Sequence, residues 1–135
     1  MMFVFASLTA LAQPGDRERI KQLKIAFITE ELHLSKEEGQ LFWPLFNAFE
    51  EERHGHEKRM RKMFKALEEK TNLTSQDVLQ ANDKATEERI AMAKSEQKYI
   101  QEVTALLGPE RTLTLLRSEE KFRKRVLEEL RDRRK

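Results

Sequence analysis

Only seven of the 135 residues are glycine or proline, and none is cysteine. A β-rich domain turns every ~8–12 residues and needs more turn formers than this. Disulfide frameworks and thiolate metal sites both need cysteine sulfur. No GxGxxG or GxxxxGKS/T stretch is present to cradle a phosphate. What remains is a set of long helices. The charge pattern agrees: 37% of residues are charged, with 26 basic and 24 acidic side chains interspersed to a net +2. Mixed signs of this kind coat solvated helix faces and give no strongly basic stripe for nucleic acid.

Residues 1–12 carry no charge, and Phe3 to Ala12 form an apolar run ending in Ala10-Leu11-Ala12. An apolar stretch of about 7–15 residues before an A-x-A pattern is what signal peptidase reads, and it falls short of the ~20 residues of a spanning helix. We read it as a signal peptide, with the mature chain starting at Gln13. A short structural arm packed on the domain is the alternative. No cysteine follows the small residues, so no lipid anchor is expected. The expectation is an exported, soluble, periplasmic protein.

Beyond Pro14-Gly15, read as a break, the spacing predicts four helices in one domain, 13–135. Asp16 is expected to cap a first helix of about Arg17 to Leu32. Ile20, Leu23 and Phe27 fall on one side of it, and Ile25, Ile28 and Leu32 on another. Such a helix is sandwiched in a core or shared with a second subunit. Ser35 with Glu38 reads as a capping box opening a second helix to about Lys70. Its stripe is Leu41, Phe42, Leu45, Phe46 and Phe49, resumed by Met60, Met63, Phe64 and Leu67. Trp43 lies off the stripe, and Pro44 is expected to bend the helix without stopping it. Thr74 with Asp77 opens a third helix, about Ser75 to Leu107, whose inner face is Val78, Ala81, Ala85, Met92, Tyr99, Val103 and Leu106. Gly108-Pro109 opens the last, about Pro109 to Arg131, with Leu113, Leu116, Phe122, Val126 and Leu130 as its stripe. The second and third helices, roughly 50 Å each at 1.5 Å per residue, are expected to form a long antiparallel hairpin.

No nucleophile, base and orienting group can be assembled from these residues, so no catalysis is expected, and no cofactor. His54 and His56 point about 200° apart on a helix and cannot share an ion. His56, Met60 and Met63 do share a face that could hold a soft ion such as copper(I). The alternative is that the methionines pack in the hairpin and His56 is solvated. Protein binding has more support. Phe42, Trp43, Phe46 and Phe49 exceed what one core stripe needs, and Arg59, Arg61, Lys62 and Lys65 interleave with Met60, Met63, Phe64 and Leu67. Such a mixture steers by charge and grips with flexible apolar groups; the same apolar groups could equally be core.

Leu34-Ser35-Lys36-Glu37-Glu38 and Leu107-Gly108-Pro109-Glu110-Arg111 each open a helix. Their order after an export signal resembles the Spy/CpxP family of small periplasmic stress proteins, which carry two L-T-x-x-Q motifs at these places. Leu34, Ser35, Glu38, Leu107, Gly108, Pro109 and Arg111 are the positions concerned. Ser35 stands for Thr, Glu38 for Gln, and Gly108 and Arg111 occupy the second motif. Leu32 to Phe49, with Phe42-Trp43-Pro44-Leu45-Phe46, resembles the Bacteroidetes branch described as sensors of extracytoplasmic-function sigma factors. The resemblance spans about Arg17 to Arg131. It implies a cradle-shaped homodimer working as an ATP-independent chaperone for unfolded or stress-damaged proteins. The branch implies instead a regulator binding one envelope signalling partner of anti-sigma or sensor-kinase type, and a His/Met metal-sensing variant is a third reading. No nucleic acid is expected as a partner.

Overall fold

The computed structural model describes residues 14–134, with side chains from Glu18 onward. The apolar run 1–12 and the side chain of Asp16 lie outside the described residues. The fold is all-α: α1 is Pro14–Leu32, α2 Lys36–Glu68, α3 Ser75–Leu107 and α4 Pro109–Arg133.

The boundaries follow from backbone donors and acceptors. α1 starts at Pro14, and the expected cap is corrected: Asp16 lies inside the helix and does not precede it. Proline is tolerated in a first turn because its missing N–H would have no partner there. α1 ends at His33, whose φ of 49° is left-handed and whose N–H reaches the Thr29 carbonyl at 3.2 Å. Before α2 the capping box is reciprocal: the Glu38 N–H donates to Ser35 Oγ at 3.1 Å and the Ser35 N–H to Glu38 Oε1 at 3.0 Å. Thr74 and Asp77 repeat this before α3 at 3.1 and 3.0 Å. Before α4, Gly108 has φ 86° and ψ 170°, open essentially to glycine alone, and Pro109 takes the first turn. α2 runs through Pro44 as one helix.

The described residues gather into two compact units, one holding 14–39 together with 107–134, the other Gln40–Leu106. In the first, α1 packs closely on α4. α1 contributes Ile28 and Leu32, and α4 contributes Thr112, Leu115, Ser118 and Phe122. Phe27 and Phe122 pair at 5.8 Å, and the Arg125 guanidinium sits 5.1 Å from the Phe27 centroid. The expected stripe of α4 is corrected here: Leu113 and Leu116 are exposed (49% and 41%) while Thr112 and Ser118 are buried. Their hydroxyls donate to the Gly108 and Thr114 carbonyls at 2.8 and 2.7 Å, so burying them leaves no orphan donor. On α1, the side carrying Ile28 and Leu32 turns inward and Leu23 is exposed.

The second unit is the expected antiparallel hairpin. Phe42, Phe46, Phe49, His56 and Met60 are buried on α2, and Ala81, Ala85, Tyr99 and Val103 on α3. Phe49 and Tyr99 stack with ring centroids 4.5 Å apart and planes 4° from parallel. Leu41, Phe64 and Val78, expected inside, are exposed.

Candidate protein-binding site

The structure joins the two motif segments. Arg111 forks onto Glu38: Nη1 donates to Oε1 at 2.8 Å and Nη2 to Oε2. The guanidinium, with the Ser35 N–H behind it, holds the Glu38 carboxyl down at about 2, and the carboxylate in turn raises Arg111. One carboxylate thus caps α2 and anchors the first turn of α4. Leu34 is half-buried and Leu107 is buried beside these turns.

In the hairpin, polar side chains bridge the two legs. Glu88 of α3 accepts from Arg59 Nε at 2.9 Å and Nη2 at 3.1 Å, and lies 2.9 Å from His56 Nδ1. Arg59 first, then His56, lowers the Glu88 carboxyl, and Glu88 raises Arg59. An ionised carboxylate only accepts, so Nδ1 carries the proton. The reading of His56 as solvated is corrected: it is 6% exposed. A Cβ on Gly55 would stand 3.2 Å from Arg59 Nη1, so this glycine leaves the guanidinium its room. Glu88 was missed in the sequence. Its signal was position: three residues after Ala85 and four before Met92, it falls on the inner face of α3. At the hairpin tip, Lys70 Nζ reaches Asp77 Oδ1 at 2.6 Å, and with the Thr74 N–H brings that carboxyl to about 2.

Between the legs lies an open depression of about 480 Å³ floored by Met60, Met63 and Ala91 and rimmed by Arg59, Lys84, Glu87 and Glu88. His56 is not part of its lining, so the three metal candidates do not meet there. Among the described residues no three His, Cys, Asp or Glu cluster as a metal site.

The aromatic candidates divide. Phe42, Phe46 and Phe49 are buried, and Phe49 stacks on Tyr99 across the hairpin. Trp43 is half-buried, edge-on to Phe42 and Phe46 at 4.9 and 5.3 Å. The basic candidates stay outside. Arg59, Lys62 and Lys65 are exposed and Arg61 is half-buried. Arg59 is committed to Glu88, whereas Arg61, Lys62 and Lys65 have no ion-pair partner among the described residues. Around them, exposed apolar side chains that sequence reasoning placed inside or passed over crowd the distal hairpin: Phe64 (43%), Leu73, Val78 and Leu79 (64%).

No helix among the described residues is long and apolar enough to cross a membrane. No protein-family model, curated protein or solved structure matches the chain.

Proposed function

We propose that this chain is an exported, periplasmic envelope-stress protein that works as a homodimer by binding other proteins, an ATP-independent chaperone of the Spy type, without catalysis. The observation that carries the reading is the distal hairpin. Arg61, Lys62 and Lys65, without an ion-pair partner among the described residues, stand among the exposed Phe64, Leu73, Val78 and Leu79, next to a thioether-floored depression. Charge draws a client in over a Debye length of ~10 Å, and the apolar groups hold it on contact without demanding one sequence. Methionine suits such a floor because its side chain reshapes at little cost. The resemblance to Spy/CpxP proteins points the same way.

The test is suppression of aggregation of a chemically unfolded client. Full suppression near equimolar chaperone is expected. Phe64→Ser with Leu79→Ser should weaken it while leaving helicity intact, because both side chains are exposed. No suppression at several-fold molar excess overturns the reading.

The second reading, a regulator with one dedicated signalling partner, is favoured by the exposed Leu41 beside the half-exposed Trp43 in the segment that resembles the sigma-factor-sensor branch. Capture of one stoichiometric partner in place of many unrelated clients supports it.

A further inference from the structure

α4 carries a second apolar stripe, roughly 100° around the helix from the buried one. It reads Leu113, Leu116, Glu120, Arg123, Leu127, Leu130, advancing by three and four residues alternately, which is the spacing of a coiled-coil seam. Leu113 and Leu116 are exposed, Leu127 and Leu130 are half-buried, and Glu120 and Arg123 are exposed between them. Arg123 has no ion-pair partner among the described residues. Among the described residues, Glu120 is met only by Lys124 of its own helix, at 3.5 Å.

We propose that this seam binds a second copy of the chain, antiparallel, about a two-fold axis crossing α4 near Lys121 and Phe122. The argument is that the stripe is its own complement. An antiparallel copy sets Leu113 opposite Leu130, Leu116 opposite Leu127 and Glu120 opposite Arg123, and the two-fold repeats every pair. A parallel copy in register sets Glu120 against Glu120 and Arg123 against Arg123. Like charges at seam positions repel, so the charge pair selects direction as well as partner. One feature opposes association: Arg117 and Lys124 flank the seam and approach each other across the axis. With a contact only roughly 26 Å long, this makes the dimer reversible. The inference rests on the homodimer in the proposed function and is independent of client binding.

The test is sedimentation velocity of the full chain over a hundredfold concentration range. A monomer–dimer equilibrium is expected. Glu120→Arg and Arg123→Glu should each raise the dissociation midpoint about tenfold or more. An equimolar mixture of the two variants should dimerise again, because every seam pair is then of opposite charge. Circular dichroism checks that both exposed substitutions leave the helices intact. The chain has no cysteine of its own, so Leu113→Cys with Leu130→Cys should give an intermolecular disulfide. A monomer at every concentration overturns the proposal and leaves the seam to another protein's helix. A dimer that neither charge variant weakens, or variants that do not rescue each other, removes the seam while the dimer stands. Aggregation suppression, measured separately, reports on client binding in either case.

Discussion

At the start of α2, Ser35 and Glu38 exchange hydrogen bonds of 3.1 and 3.0 Å; at the start of α3, Thr74 and Asp77 do the same at the same lengths. Both carboxyls are held at about 2. The difference lies in the third partner. Asp77 takes Lys70, seven residues away, so the hairpin tip closes on itself. Glu38 takes Arg111, 73 residues away, so the same local device fastens two distant parts of the chain. The cores differ in parallel. Phe42, Phe46, Phe49 and Tyr99 are buried rings of the hairpin, while α4 buries threonine and serine, whose hydroxyls are satisfied on their own helix, beside Leu115 and Phe122. A capping box sets where a helix starts, and a residue outside the box decides whether it also holds the fold together.

Four measurements press on this comparison. Phe46→Ala should cost ~3–5 kcal/mol in chemical denaturation, since a fully buried ring of the hairpin is removed. A loss below ~1 kcal/mol would put that ring on a surface and undo the contrast of cores. Gly108→Ala should cost ~1–3 kcal/mol from backbone strain alone. The space around its Cβ is open, so no clash adds to that cost. Next come Glu38→Gln and Asp77→Asn, which keep the capping acceptor and remove the charge. Both should lower Tm at pH 7, Glu38→Gln the more, and equal losses would break the comparison. Their pH dependence has a definite sign. Both folded pKa values lie below the ordinary 4.5 and 3.8, so this stabilisation is complete above those values and drains away as pH falls to about 2. Between about pH 4.5 and 2, Tm of Glu38→Gln should fall less steeply than that of the parent. The smallest effect is a gain: His33→Gly should stabilise by less than ~1 kcal/mol, because glycine occupies the left-handed φ without a Cβ penalty and loses part of the benefit to unfolded-state entropy.

The start of α3 and its end at Leu107 were readable to the residue, because Thr74, Asp77, Gly108 and Pro109 act on backbone groups within one turn. The hairpin's direction was readable from two long helices joined by a short turn. The phase of α4 was not. Thr112 and Ser118 look polar in a sequence, and only their bonds back to the preceding turn make them fit a buried face, which frees Leu113 and Leu116 to point outward. The motif residues Glu38 and Arg111 were singled out, but their pairing was not, since no periodicity relates positions so far apart. Glu88 hid among the many carboxylates of an evenly charged chain, and His56 could not be told from a solvated histidine without knowing which leg of the hairpin it faced. Of the aromatic candidates, the stripe positions Phe42, Phe46 and Phe49 are buried, while Leu41, Phe64, Val78, Leu113 and Leu116, read from the same periodicity as inward, make up much of the exposed apolar surface.

The single tryptophan and the single tyrosine both belong to the Gln40–Leu106 unit, Trp43 edge-on to two phenylalanines and Tyr99 stacked on a third. The unit built on α1 and α4 has neither. Intrinsic fluorescence and the aromatic dichroism of Trp and Tyr therefore watch the hairpin alone, whereas backbone dichroism watches every helix. Melting curves from the two kinds of light will superimpose if the chain unfolds as one cooperative body and separate if its units let go in turn.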